Sequence, residues 1–304
     1  MTTFTLLGVP IDSVGRFGGT EHAPAAFRAL TRANDPWATD AGDLDVQIRG
    51  DVRDPASGVI AIGDVLATTR RVADAVANLT AKGSPVLVMG GCCALLPGAL
   101  AGARRTFGRV GLAYLDGHLD LYDGETSPTG EAADMPISVV LGRGPKAWVE
   151  AAGDTSEPAD VTLLGPRDLE EALTYGHPHP DEIPGLTFVD ADGVRRDGPA
   201  VVGQTAADRI ARDAGHLWVH LDVDVLDELV FPATDYLDPG GLDLAQVTDL
   251  LGPLLRSPAI VGFSVGCYNP DKDPDGSSGC ALVDMFRAAI GGEGLRAEGY
   301  PSGT

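Results

Sequence analysis

Val110–Asp123 reads VGLAYLDGHLDLYD, and this stretch decides the fold. An apolar run climbs to Leu115 and gives way to Asp116-Gly117-His118-Leu119-Asp120. In an extended backbone, side chains at i, i+2 and i+4 share a face. A buried strand is therefore expected to end with Asp116, His118 and Asp120 converging on one point. Two carboxylates and an imidazole so placed repel one another or lack partners unless positive charge sits among them. A divalent cation is the simplest supplier. A solvated polar loop after the strand explains this triplet as readily.

His216–Asp227, HLWVHLDVDVLD, tips the balance. It again runs apolar and then delivers Asp222 and Asp224 two residues apart, and neither stretch contains a Lys or Arg to neutralise the aspartates. Five potential ligands on two strand ends favour a metal site.

Outward from these two stretches, short apolar runs at Phe4–Val9, Val46–Arg49, Val86–Met89, Val161–Gly165 and Pro258–Gly266 are expected as further strands. Helical patterns occupy Ala23–Thr31, Val59–Lys82, a small-residue segment ending at Arg104, Ile137–Leu141, Ala200–Ala214, Leu242–Leu255 and Cys280–Ile290. The tail from Gly291 is expected to fray. Near-continuous apolar strands alternating with helices predict an α/β fold with a parallel sheet covered on both faces. Without an internal repeat or a low-complexity linker, residues 1–304 are expected to form a single domain. Gly90-Gly91-Cys92-Cys93 lies at the carboxyl end of a strand, where such sheets place ligand groups. His177-Pro178-His179 is expected as a solvated loop rather than a metal site.

Of the 304 residues, 22 are Lys or Arg and 44 are Asp or Glu, a net charge of −22. This argues against nucleic acid and anionic membrane as partners, since both call for basic surfaces. No apolar run approaches the roughly 18 residues of a membrane span. The opening MTTFTLLGVP lacks the basic and long apolar regions of a secretory signal. Four cysteines, two of them adjacent, do not make a disulfide framework in a chain of this length. A cytoplasmic location is expected.

Ordered motifs then carry a resemblance over nearly the whole chain. They are GVPIDS near the start, MGG at Met89–Gly91, DGHLD at Asp116–Asp120, TGEAADMP at Thr129–Pro136 and RDL at Arg167–Leu169. HLDVDVLD at His220–Asp227, PATDYLDPGGL at Pro232–Leu242 and YNPDKD at Tyr268–Asp273 follow. Together these motifs resemble the arginase/agmatinase (ureohydrolase) family. The resemblance implies a three-layer α/β/α fold with a parallel, roughly eight-stranded sheet and a site for two Mn²⁺ ions. In the family, a metal-bridging hydroxide attacks the carbon of a guanidinium group of a small-molecule substrate. Carried over by position, Asp116 and Asp222 would bridge the metals, His118 and Asp224 would complete the second, and Asp120 would bind the first and take the proton of the hydroxide. Homo-oligomers, trimers or hexamers, are likewise implied.

Three departures stand out. Cys93 takes the place of a metal-binding histidine, which shifts preference from Mn²⁺ toward Zn²⁺ or Fe²⁺. Ala133 and Asp134 lie where many members carry a proton-shuttling histidine. Cys267 stands for the glutamate that grips the guanidinium, which argues against arginine itself as substrate.

The expected activity is hydrolysis of a C–N bond in a guanidino, amidino or related linear compound, a modified arginine such as a hydroxyguanidine among them. Asp134 or Glu131 would assist the leaving group, and Asp168, Thr234, Cys267 and Asn269 would line the substrate pocket. Turn chemistry is the alternative role for Thr234 and Asn269, and a helix cap for Asp168. Two further readings compete: a family member that has lost catalysis and binds metal or regulates, and a thiol-based activity using Cys92, Cys93 and Cys267.

Overall fold

The computed structural model describes residues 2–13, 18–153, 156–177 and 179–291. Eight strands form one sheet: β1 (Thr5–Val9), β2 (Thr39–Asp43), β3 (Val86–Gly90), β4 (Gly111–Leu115), β5 (Val161–Leu164), β6 (Thr187–Val189), β7 (Leu217–Asp222) and β8 (Ile260–Gly266). Their order is β2-β1-β3-β8-β7-β4-β5-β6, and every pairing is parallel. Among the described residues, ten α-helices connect and flank them: α1 (Ala23–Leu30), α2 (Ile62–Thr80), α3 (Leu96–Phe107), α4 (Pro136–Val140), α5 (Lys146–Ala152), α6 (Leu169–Thr174), α7 (Ala191–Asp197), α8 (Pro199–Asp213), α9 (Leu244–Leu255) and α10 (Ser277–Gly291).

The period of two along the central strands sorts their side chains into two cores. Leu217, Val219 and Leu221 of β7 join Phe27 of α1, Ile210 of α8, Leu250 of α9 and Phe286 of α10. Trp218, between them, joins Val72 of α2, Leu100 of α3 and Trp148 of α5 on the other face. The result is the three-layer α/β/α sandwich. Among the described residues, no helix is long and apolar enough to cross a membrane.

Register positions the crevice. Met89 pairs with Val265, Asp222 with Gly266, and Leu115 with Leu221. The carboxyl ends of β3, β8, β7 and β4 therefore finish level, side by side.

Several expectations need correction. The second strand is Thr39–Asp43, not Val46–Arg49, which is irregular. TDAGD carries no apolar signal because it forms an exposed sheet edge, with Arg28 gripping Asp40 and Asp43. Strand β6 is a three-residue edge strand too short to show a pattern, and helices α5 and α7 were not anticipated. His177 is not solvated: it is buried against Tyr122, with ring centroids 5.3 Å apart. Pro178, residues 14–17, residues 154–155 and the tail beyond Gly291 lie outside the described residues.

Candidate metal centre

Asp116 follows β4 directly, and Asp222 ends β7. Their local backbone is bent so that each carboxylate is held by its own chain. Asp116 Oδ1 accepts from His118 N at 2.6 Å, and Asp222 Oδ1 accepts from Asp224 N at 2.9 Å. Asp120 has φ +50°, a left-handed conformation uncommon for a residue with a side chain. This swings its carboxylate back under Tyr114, whose hydroxyl donates to Oδ2. Glycine suits position 117, because a Cβ would come 2.8 Å from the Asp224 carbonyl oxygen as well as 2.3 Å from the Arg167 guanidinium.

Asp116, Asp120, Asp222 and Asp224 are all buried, with exposures of 1%, 7%, 3% and 3%. That rules out a solvated loop. Ligand atoms of Asp116, His118 and Asp224 lie within 4.8 Å of one another, as do those of Cys93, Asp116 and Asp120, and those of Cys93, Asp222 and Cys267.

Charge in this cluster is unbalanced. Burial, reinforced by repulsion from Asp224 and Asp222, pushes the Asp116 carboxyl well above the usual carboxylate range. Burial and the neighbouring Asp116 do the same to Asp120. Asp222 is pushed up to about 7 by burial and Asp224. Asp224 goes the other way: burial opposes its charge, but His118 at 3.1 Å and the more distant Arg167 outweigh it. His118 is correspondingly raised, its desolvation overcome by Asp224, Asp116 and Asp238. Cys93 is raised by burial and the surrounding acids.

The cavity above the cluster is about 270 Å³. His118, Asp120, Asp222, Asp224 and Cys267 face it from the floor, and Asp134, Asp168, Glu171, Thr234 and Asp235 from the walls. Among the described residues, no Lys or Arg lines it. Asp134 accepts from Ser127 Oγ at 2.8 Å and Thr129 Oγ1 at 2.6 Å. Glu131 is set back from the lining, fully buried, and accepts from the hydroxyl of Tyr236, which does line the cavity. Asp168 precedes α6 without capping it; Oδ2 accepts weakly from Leu119 N at 3.3 Å. Asp168 Oδ1 and Thr234 Oγ1 are buried and make no hydrogen bond among the described residues. Asn269 lies outside the lining and does turn chemistry: it accepts from Asp271 N at 3.1 Å and donates to Gly18 O and to Asp235 Oδ1.

The sequence reading overlooked two residues. Asp235 is clamped by Lys272 at 2.7 Å through Oδ1, while Oδ2 is buried with no hydrogen bond among the described residues. His220 is fully buried, stacked on Tyr114, with Nε2 3.2 Å from Cys93 Sγ. The i, i+2, i+4 rule that picked out Asp116, His118 and Asp120 applies equally to His220, Asp222 and Asp224. Cys92, by contrast, belongs to the core and contacts Ser13 at 2.8 Å, so the thiol-based reading loses one member. Its thiol is pushed up to about 12 by burial and by Asp12.

The donor set fits divalent cations: carboxylates, imidazole and thiols held together out of water, with too little fixed positive charge among the described residues to neutralise them. Comparison with known proteins gives the family. The model of the arginase family matches residues 2–291. An arginase of Staphylococcus aureus is 25% identical, the match covering 94% of this chain and 96% of that protein. Among solved structures, arginase from Bacillus caldovelox superposes with a TM-score of 0.85 at 24% identity, covering 96% of this chain and 99% of that one. Formimidoylglutamase from Bacillus subtilis does so with a TM-score of 0.73 at 17% identity, covering 96% and 87%. With its eight-stranded parallel sheet and acid-rich crevice, the chain belongs to the arginase family.

Proposed function

We propose that this protein is a divalent-cation-dependent hydrolase that cleaves a C–N bond in a guanidino, amidino or related linear cationic compound. The observation that carries this reading is the buried carboxylate cluster, in which burial and like-charge repulsion hold Asp116, Asp120 and Asp222 above their ordinary pKa while His118 holds Asp224 below its own. Asp116, His118, Asp120, Asp222, Asp224 and Cys93 would hold two cations. The oxygen and imidazole donors suit Mn²⁺, and the thiol favours Zn²⁺ or Fe²⁺. Bound cations would supply Lewis acidity and lower the pKa of water, giving a nucleophile near neutral pH.

The chain's own residues would do the rest. Asp120, which lines the cavity and is steadied by Tyr114, would accept a proton at its carboxylate. Asp134 lines the opposite wall and would protonate or hold the leaving amine, while Glu131 acts through the Tyr236 hydroxyl it fixes. Asp168, Thr234 and Asp235 offer buried acceptors that have no donor among the described residues, which an N–H-rich cationic substrate would satisfy. Cys267 in place of a carboxylate weakens the case for arginine itself, so modified guanidines and amidines lead. A homo-oligomeric state and a cytoplasmic location belong to the same proposal, on family membership.

The test is turnover of a guanidino and amidino panel by protein loaded with Mn²⁺, Zn²⁺ or Fe²⁺. Activity that is lost on chelation, restored on reloading and absent in Asp222→Ala supports the reading. Full cation occupancy with no turnover across the panel would sink it and leave a cation-binding, non-catalytic family member.

A further inference from the structure

We propose that Cys267 is a cation ligand rather than a substrate contact. With Cys93 and Asp222 it would form a thiolate-rich centre for a soft divalent cation, beside the harder centre of Asp116, His118 and Asp224. The inference rests on the cation-site reading above and specifies its chemistry.

Three observations support it. First, the sulfurs of Cys93 and Cys267 lie 3.7 Å apart. A tetrahedral cation with metal–sulfur bonds of about 2.3 Å sets its two sulfurs about 3.8 Å apart. A disulfide needs about 2.05 Å, so the pair is unbonded, at a spacing that suits a shared cation as well as a thiol–thiol contact. Asp222 Oδ2 is 2.6 Å from Cys93 Sγ; a tetrahedral cation bound to both sets such a pair about 3.5 Å apart, so binding has to part them by about 0.9 Å.

Second, Cys267 has φ +67°, one of three non-glycine residues in the left-handed region among the described residues. This conformation, at the first residue after β8, turns its side chain over Cys93, and such outliers persist where surrounding structure enforces them. Gly266 clears the way, since a Cβ there would stand 3.1 Å from Cys93 Sγ.

Third, His220 can donate to sulfur. Trp218 Nε1 donates to Ser264 Oγ at 2.9 Å, and Ser264 Oγ lies 2.7 Å from His220 Nδ1 and 3.4 Å from Val219 O. The Ser264 hydroxyl keeps a second lone pair and one proton, so it either accepts from Nδ1–H or donates to Nδ1. In the second arrangement Nε2–H faces Cys93 Sγ at 3.2 Å. A ring N–H aimed at sulfur supports a thiolate ligand, as outer partners of metal ligands do.

Cobalt substitution provides the test. Cation-free, reduced protein is titrated with Co²⁺, and the near-ultraviolet cobalt–thiolate absorption is followed alongside bound cobalt. The wild type should show the band. Cys267→Ser and Cys93→Ser should each lose about half of it, and the double variant all of it, while cobalt still binds the harder centre. Cys280→Ser, at an exposed position, should change nothing. An undiminished band in Cys267→Ser overturns the proposal while leaving the hydrolase reading intact. Cobalt uptake without any band in the wild type also overturns it. No cobalt uptake at all overturns the cation-site reading itself. Alkylation gives an answer that requires no variant: Zn²⁺ should protect Cys267 but not Cys280, and equal modification of Cys267 with and without Zn²⁺ counts against the proposal.

Discussion

Asp35 and Asp222 both keep their carboxylates almost out of solvent, and the fold treats them in opposite ways. Asp35 has a cation of its own. Arg287 donates to both its oxygens at 2.8 Å, and Arg32 N adds a third bond at 2.7 Å. Burial pushes the Asp35 carboxyl up, but these bonds outweigh it and hold it below the usual carboxylate range. Asp222 faces another carboxylate and two thiols, and it is pushed up to about 7. A fixed arginine makes one carboxylate a structural tie. Its absence leaves the other poised for an exchangeable cation, at a cost to the cation-free protein.

Removing a carboxylate from the poised cluster should have the largest effect. Asp116 belongs to two of the three candidate ligand groups. Asp116→Asn keeps the acceptor for His118 N but removes the charge. Cation affinity, measured by calorimetric titration, should fall by about 100-fold or more, beyond what loss of an outer partner costs. The cation-free variant should nonetheless melt at a higher temperature than cation-free wild type, because like-charge repulsion is relieved. A lower melting temperature would mean that the cluster is not under net repulsion when the cations are absent.

The same contrast fixes the sign of the pH dependence. Asp222 is raised in the folded state, so between its ordinary value near 3.9 and about 7 the folded chain binds more protons than the unfolded one. Stability of the cation-free protein should therefore fall as pH rises through that window. Asp35 works in the other direction: its contribution is complete above the ordinary carboxylate value and is lost as pH falls through its lowered one. Thermal melts of cation-free protein from pH 4 to 8 should show the first slope, and Asp222→Asn should flatten it. Arg287→Ala should cost about 2 kcal/mol near neutral pH, between the values for exposed and buried pairs. It should leave cation affinity unchanged, as read by chemical denaturation and titration side by side.

How much of this was legible in the sequence follows from the same physics. Apolar strands ending in carboxylates at spacing two announce both the sheet and the crevice, because a two-residue period and a sudden change of polarity are local signals. Strands β2 and β6 were not legible or were misplaced, since an edge strand exposed to water needs no apolar pattern. Register was not legible either, and it is register that sets Gly266 beside Asp222 and so brings Cys267 to Cys93. Their positions in the motifs marked both cysteines as substitutions, but not as partners. Asp235 lay one residue beyond the Thr234 already singled out; that its free oxygen stays buried depends on Lys272, 37 residues on, which no short motif can encode.

The smallest expected effect probes the harder half of the site. His118 presents Nδ1 to Asp224 at 3.1 Å and Nε2 to Asp238 at 3.3 Å, and Asp238 is half-exposed. An acidic partner on one ring nitrogen fixes the ring and strengthens the other nitrogen as a ligand. Asp238→Asn weakens that support without removing a ligand. Cation affinity at the harder centre should drop about 10-fold, the lower end of the range for outer partners. The cobalt–thiolate band should keep its full intensity, because Asp238 contacts neither sulfur. A band that weakens together with the affinity would mean that the two halves bind as one unit, and the contrast between a soft and a hard centre would dissolve.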